Sequence, residues 1–450
     1  MELSKIKNVY LVGIGGIGMS GLARYFLKRG CHVSGYDRVS TALTSNLTHE
    51  GAQISYIDTL DQLNTIGADK ESTLIIYTPA IPQNSIILNY FRNNQYLLKK
   101  RSEVLGIISK GMFTIAVAGT HGKTTTSTLV AHILRHTGND CTAFLGGISS
   151  NFNTNALFGK NNIMVVEADE YDRSFLTLHP DIAVVTSMDA DHLDIYGTAE
   201  HLEESFRLFA SQLKEGGRLI HKINLPLKGG ISYSASEEAD VCAKNIKIEN
   251  EQFYFDFIGL GIEINDIEMP LPGVHNIENA VAAIQVALYL QIPAKKIKLA
   301  IADFKGVKRR FEYIVKNNKH IYIDDYAHHP EELKACIAAA KRLYPEKKLT
   351  VLFQPHLYSR TLDFAVGFAE SLSLADHLIL LDIYPARELP IEGVTSAIIL
   401  NLVKSETKVL STKENALLLI SENPPELLLT VGAGDIDLMV EPIKKIMSHV

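Results

Sequence analysis

The sequence predicts an α/β protein of parallel, doubly wound type in about three domains, and three observations carry that expectation. The chain has 450 residues, too many for one ordinary hydrophobic core, and domain-size statistics put the count near three. Strand-like apolar runs alternate with helix-length segments almost throughout, the pattern of βα units stacked on a parallel sheet. Two glycine-rich loops each follow directly on an apolar run, where a strand turns into a helix.

The bulk composition narrows the partners. Apolar residues make up 46% and charged residues 21%, the balance of a soluble globular chain. The net charge is −7 and no basic run occurs, so neither a nucleic-acid footprint nor a polybasic membrane patch is expected. The four cysteines, Cys31, Cys141, Cys242 and Cys336, lie far apart with no C-x-x-C pair. They read as reduced thiols, and a cytoplasmic location follows as the expectation. Neither a secretory leader nor a membrane span is expected, since no apolar run has the required length and flanks.

In chain order, residues 1–105 form a first unit. The run Val9-Tyr10-Leu11-Val12 leads into "GIGGIGMSG", whose Gly13, Gly15 and Gly18 fit G-x-G-x-x-G. A second run, Cys31-His32-Val33, leads to Asp37, the place of an acidic ribose partner. Thr73–Tyr77 reads as a strand before the turn Thr78-Pro79-Ala80-Ile81-Pro82, and the charged cluster Lys99–Glu103 closes the unit. Residues 106–306 form the second. Strands are expected at Phe113–Ala118, Ile163–Val166 and Ile182–Val185, then a β-rich irregular stretch over 228–272 and a long apolar helix over 275–290. "FKGVKRRFE" (304–312) reads as a hinge. Residues 307–450 are α/β again, with strands at 321–323, 349–353, 378–381 and 428–431. No internal repeat is evident.

The second loop decides the ligand class. "GTHGKTTT" (119–126) sits between a strand and a helix, so backbone N–H groups at the helix start face an anion. Lys123 reaches the outer phosphates and the Thr124 hydroxyl can ligate magnesium. Val117 stands where the strict P-loop form has its first glycine. The bland alternative is a turn with a chance lysine. Gly-Lys-Thr directly after an apolar strand favours a triphosphate site. Acidic ligands follow the next two strands: Glu167, Asp169, Glu170 and Asp172 in "VVEADEYD", then Asp189, Asp191, His192 and Asp194 in "TSMDADHLD". Strand C-terminal ends are where a doubly wound sheet places its chemistry, and magnesium needs only one or two protein ligands beside phosphate oxygens and water.

Together with "GIGGIGMSG", the pieces "GTHGKTTT", "EADEYD", "DADHLD", "HNIENA", "FKGVKRRFE", "DDYAHHP", "FQPH" with "SRT", and "GAGDI" resemble the Mur ligase family. These are ATP-dependent amide-forming enzymes of peptidoglycan precursor synthesis. The pieces run from residue 13 to residue 436, nearly the whole chain. The resemblance implies a three-domain architecture: a Rossmann-like N-terminal domain binding a UDP-sugar, a central P-loop ATPase-type domain, and a Rossmann-like C-terminal domain that closes over both. It implies ATP and Mg2+ as cofactors. "GIGGIGMSG" and "DDYAHHP" look most like the branch that joins L-alanine to UDP-N-acetylmuramate, so those are the expected substrates, with a monomer or homodimer as the assembly.

By position, the resemblance assigns roles. Gly13, Gly15, Gly16 and Gly18, with Asp37 and Thr78, would hold the UDP-sugar, the glycine loop cradling its pyrophosphate rather than that of NAD. Gly119, Thr120, His121, Gly122, Lys123, Thr124 and Thr125 would cradle ATP. Asn276 and Asn279 would position the nucleotide, Arg310 the γ-phosphate, and Asp325 would be the third domain's acidic contribution. Thr124, Glu167 and His192 would hold magnesium. His328, His356 and Arg360 would serve the lactyl carboxylate and the incoming amino acid; separately, because the amine must lose a proton to attack, His328 or His356 is a candidate general base. Each has a plainer alternative: Asn276 as a helix cap, Asp37 as a turn-former, Arg309 and Arg310 as a solvated pair, His329 as packing at a helix start. Leu357 and Arg387 depart from the family pattern at the acceptor side. The rivals are a ligase adding a whole tripeptide, a P-loop switch, and a dehydrogenase.

Overall fold

The computed structural model describes residues 2–61, 63, 69–189, 193–386 and 388–448, with only the backbone of Leu193 and Asp194. They form two compact units. The first comprises Met1–Cys242, Ile258–Ile262 and Asn279–Ala300; the second, Ala243–Phe257, Glu263–Glu278 and Ile301–Val450.

The first unit opens with β1 (Asn8–Val12), β2 (His32–Tyr36), β3 (Gln53–Ser55), β4 (Thr73–Tyr77) and β5 (Leu97–Lys100). They make a parallel sheet in the order β3-β2-β1-β4-β5. β1 and β4 are central and almost wholly buried, which is why they read as unbroken apolar runs rather than alternating ones. β6 (Phe113–Ala118), β7 (Thr142–Ser149), β8 (Thr154–Leu157), β9 (Ile163–Glu167), β10 (Ile182–Val185), β11 (Arg218–Lys222) and β12 (Ile231–Ser234) follow. Their order is β12-β11-β10-β6-β9-β7-β8, and only β8 is antiparallel to its neighbour. One buried cluster contains Leu11, Leu22 and Phe26 from the first sheet's layer and Phe144, Met164, Val166 and Phe206 from the second's. Across it the Tyr25 ring lies 5.9 Å from that of Phe144. The N-terminal and central segments therefore share one core.

The second unit holds most of β13 (Val241–Glu249), β14 (Gln252–Gly259) and β15 (Ile262–Met269), with β14 in the middle. It also holds β16 (Glu312–Lys316), β17 (Ile321–Asp325), β18 (Leu349–Phe353), β19 (His377–Leu381), β20 (Thr407–Ser411) and β21 (Leu427–Val431). The sheet order is β16-β17-β21-β18-β19-β20, parallel except for β16. Because β21 returns between β17 and β18, the loops after these three strands meet at a reversal of strand order, where α/β sheets bind ligands.

The structure departs from the sequence reading in one place. Lys99–Glu103 does not close a unit: Lys99 and Lys100 end β5 and a helix, Arg101–Lys110, follows at once, so the expected limit at 105 falls inside it. The stretch over 228–272, read as β-rich and irregular, holds four strands, β12–β15, and Asn245 in β13 and Asp266 in β15 take positive φ. In the segment expected as a hinge, 304–312, Phe304, Val307 and Phe311 are buried. Among the described residues, no helix is long and apolar enough to cross a membrane. All four cysteines are buried free thiols.

Candidate active site

The central glycine loop is held in shape from two sides. Gly119 and Gly122 take φ of +136° and +79°, left-handed conformations that glycine alone adopts without strain. Gly122 then serves as N-cap of the helix Lys123–His136. Residues after β10 stitch the loop down. The His121 N–H donates to Ser187 Oγ at 2.7 Å, Ser187 and Thr120 hydroxyls meet at 2.9 Å, and the Thr186 hydroxyl donates to the Ala118 and His121 carbonyls. A Cβ at Gly122 would come within 2.6 Å of Asn279 Oδ1, and that oxygen accepts the Thr126 hydroxyl at 3.1 Å. Asn279 thus lies against the loop. Thr120, Thr124 and Thr125 are buried with it.

Lys123 points into a carboxylate cage. Its ammonium lies 2.9 Å from Glu170 and 2.5 Å from the Gly119 carbonyl. Burial alone would lower its pKa; the facing Glu170, Glu167 and Asp169 outweigh that and hold it above the ordinary lysine value. Glu167 ends β9 and accepts the Gly146 N–H at 3.0 Å. His192 lies outside the described residues. Among those described, no three His, Cys, Asp or Glu side chains cluster as a metal site. A threonine hydroxyl and a carboxylate are hard oxygen donors, and together with phosphate oxygens they fit magnesium, which rarely takes an all-protein cage.

In the N-terminal loop, Gly13 takes a φ of +90°, and the N–H groups of Gly13 and Ile14 donate to the Tyr36 carbonyl at 2.7 and 3.0 Å. Thr78 packs against Gly13. Gly16 is the N-cap of the helix Ile17–Lys28, so an anion at this turn would face open N–H groups. Asp37 accepts the Gly15 N–H at 2.7 Å and the Val39 N–H at 3.2 Å; here it is a clamp on the loop. Arg101 was not anticipated. A side chain at Gly18 would meet its guanidinium at 2.8 Å, and it pairs with Asp169 at 3.1 Å.

The second unit gathers the remaining groups at the ends of β17, β18 and β21. The adjacent arginines divide cleanly. Arg309 is structural, donating to buried Asp324 at 2.9 Å and to the Gly432 carbonyl at 2.8 Å. Arg310 faces Glu332 at 3.9 Å; both arginines lie over the Tyr326 ring, Arg309 at 5.3 Å and Arg310 at 5.2 Å. Asp325 accepts the backbone N–H groups of Ala327 and Phe311, each at 2.7 Å; burial pushes its pKa up to about 6 despite Arg310 nearby. Asn276 lies within the first turn of the helix Val274–Tyr289 rather than at its N-cap, and its amide donates back to the Pro272 carbonyl at 2.7 Å. His329 caps the helix Pro330–Leu343 and packs edge-on to Phe364, the plainer alternative. His328 and His356 face each other with ring centroids 6.1 Å apart. His356 stacks on Tyr384, and its Nδ1 accepts from buried Arg360 at 3.5 Å. Leu357 beside it has φ +71°, a strained conformation of the kind found at binding sites. Arg387 lies outside the described residues. Glu332 carried no motif signal; Glu170, expected only as one of several acidic ligands, is the partner of Lys123, and Ser187, inside "TSMDADHLD", was not singled out.

A phosphate-cradling strand–loop–helix in one unit and a histidine–arginine cluster at a sheet reversal in the other define a nucleotide-handling α/β enzyme of several domains. The descriptions "Mur ligase family, catalytic domain", "Mur ligase middle domain" and "Mur ligase, glutamate ligase domain" match residues 8–112, 117–287 and 309–434. The chain belongs to the Mur ligase family and has its three-domain fold. It is 49% identical to the UDP-N-acetylmuramate–L-alanine ligase of Flavobacterium johnsoniae over 100% of both chains. It is 47% identical to that of Cytophaga hutchinsonii over 99% of this chain and 97% of the relative. The crystal structure of a UDP-N-acetylmuramate–alanine ligase from Thermotoga maritima superposes with a TM-score of 0.83 at 25% identity, covering 98% of this chain and 99% of that one. A murein peptide ligase from Psychrobacter arcticus, at TM-score 0.70 and 21% identity, covers 99% of both and shares the fold.

Proposed function

We propose that this chain is an ATP-dependent ligase that joins L-alanine to the lactyl carboxylate of UDP-N-acetylmuramate. The products are UDP-N-acetylmuramoyl-L-alanine, ADP and phosphate, in peptidoglycan precursor synthesis. The observation that carries this reading is full-length similarity to alanine-adding relatives at 47–49% identity. The UDP-sugar is assigned to the N-terminal segment matched over 8–112, the nucleotide to the middle segment matched over 117–287 and the amino acid to the last segment matched over 309–434, with the protein working in the cytoplasm, where ATP is.

A carboxylate acylates poorly because its leaving group would be oxide, so the reaction runs through an acyl phosphate. The lactyl carboxylate attacks the γ-phosphorus; the amine of L-alanine then attacks the acyl carbon and phosphate leaves. Little of this needs an enzyme nucleophile. Charge neutralisation by Lys123 and Arg310 and fixed orientation supply the acceleration. Thr124, Glu167 and His192 would hold magnesium, which when bound offsets charge on the phosphate oxygens. The Gly13–Gly18 turn and its helix N-terminus take the pyrophosphate of UDP, and His356 with Arg360 takes the carboxylate of L-alanine. The experiment is phosphate release with ATP, magnesium and UDP-N-acetylmuramate, adding L-alanine or the tripeptide in turn. Release that needs both the UDP-sugar and L-alanine is the expected result; dependence on the tripeptide would overturn the acceptor, and release without either acceptor would leave a nucleotide hydrolase.

A further inference from the structure

The two histidines of the acceptor cluster are not equivalent, and their hydrogen bonds say which can accept a proton. His328 Nδ1 lies 3.0 Å from the Tyr326 carbonyl and 3.4 Å from the Glu332 carboxylate. A carbonyl only accepts, so Nδ1 carries the hydrogen and Nε2 carries the lone pair. His356 is the reverse: the Arg360 guanidinium only donates, so His356 Nδ1 accepts and its Nε2 carries the hydrogen. His356 is thereby a donor suited to a carboxylate, and His328 a base suited to an amine.

Glu332 sets this arrangement. It stands in the first turn of the helix Pro330–Leu343 and reaches back to accept the His328 backbone N–H at 3.0 Å. The same carboxylate faces Arg310 at 3.9 Å and is largely buried, its side chain 14% exposed. No motif singled it out. A carboxylate behind the Nδ1 of a histidine orients the ring and stabilises the imidazolium that forms when Nε2 takes a proton.

Resting on the ligase reading above, we propose that His328 is the general base of the amide-forming step and that Glu332 is its positioning residue. L-Alanine binds as the free amine after losing one proton to solvent. Its lone pair forms the C–N bond to the acyl carbon, and the second proton passes from that nitrogen to His328 Nε2. The C–O bond to phosphate breaks with its electron pair leaving on the phosphate, which takes the proton from His328.

The charged groups around the ring are Glu332 from its own segment's helix, Arg310 and Arg360, with the Tyr326 and His356 rings on its faces. Burial pushes His328 down to about 4, the carboxylate of Glu332 opposing and Arg360 and Arg310 assisting. The ring is therefore neutral and competent at neutral pH. Removing the negative charge of Glu332 lowers it further.

The test separates the amine step from acyl-phosphate formation. Hydroxylamine is unprotonated at neutral pH and attacks acyl phosphates without a base. ADP release dependent on UDP-N-acetylmuramate is measured for the full chain with L-alanine and, separately, with hydroxylamine. Glu332→Gln keeps an acceptor for the His328 N–H but removes the charge. The expected result is a loss of roughly 100-fold in turnover with L-alanine, hydroxylamine turnover at the wild-type rate, and an acid limb of kcat/KM for L-alanine moved to lower pH. His328→Gln should lose at least about tenfold more turnover with L-alanine than with hydroxylamine. Equal loss with both nucleophiles, or unchanged turnover with L-alanine, would overturn the proposal by leaving Glu332 a helix-capping or phosphoryl-side residue. A wild-type enzyme active with L-alanine yet inert to hydroxylamine would remove the acyl-phosphate reading itself, and this proposal with it.

Discussion

The ion pair of Lys123 with Glu170 ties catalysis to stability through one side chain. Glu170 is 1% exposed, so removing the ammonium leaves a buried carboxylate without its cation. Lys123→Met is expected to cost about 3 kcal/mol of stability and about 100-fold or more in turnover. Pairing it with Glu170→Gln should restore most of the urea midpoint and none of the ADP release. Recovery of activity in the double variant would show that Lys123 serves only to neutralise Glu170. At this scale the sequence told ligand class but not partnership. Nothing in "KRRFE" distinguishes an arginine locked onto Asp324 and the Gly432 carbonyl from one facing Glu332, because those partners lie outside the motif, on a strand, in a loop and on a helix that only the fold brings to it. Asp37 was legible as a residue at the end of a strand, and only its 2.7 Å contact with the Gly15 N–H reveals that it shapes the loop.

The strand–turn–helix elements were the most legible part of the molecule, since strands buried on both faces must be continuous apolar runs. The strands β12–β15 were legible only together, as a β-rich stretch, because β14 alternates buried with half-buried positions and β15 buries only a few of its residues, a signal too weak to place each end. The end of the first segment was missed for a different reason: a charged cluster suggests a linker, yet Glu103 here accepts from the Lys99 ammonium and the Lys100 N–H and so starts a helix. The glycine turn of the first sheet supports a separate prediction. A Cβ at Gly15 would meet Asp37 Oδ2 and Thr44 Cγ2, both at 2.8 Å, forcing the clamp open. Gly15→Ala should weaken UDP-sugar binding by about 1–2 kcal/mol, roughly tenfold in KM, while the KM for ATP stays unchanged. A rise in both would mean that the turn supports the fold of the first unit as a whole.

Across the whole molecule, the second unit carries an acid sensitivity that its buried rings impose. Burial pushes His275 down to about 4, Glu332 opposing and Arg310 assisting, and His328 has the same depressed value. An unfolded chain takes up a proton on each ring below about 6.5, whereas the native ring resists until about 4, so the unfolded state binds more protons and stability falls as the pH drops between those values. At pH 5 each histidine contributes a loss of about 2 kcal/mol. Asp325 acts in the opposite direction. Its native pKa of about 6 lies above the unfolded value, so the native state takes up the extra proton and gains about 1 kcal/mol at pH 5. The histidines win, and the net change from these three groups is a loss. Replacing His275 by Gln removes one of the two opposing rings without touching Asp325. Urea unfolding at pH 7 and pH 5 should therefore show a fall in stability for the wild-type chain that exceeds the fall for His275→Gln by about 2 kcal/mol. Equal falls in the two proteins would mean that the His275 ring is protonated in the native state at pH 5, with Glu332 rather than burial deciding its charge.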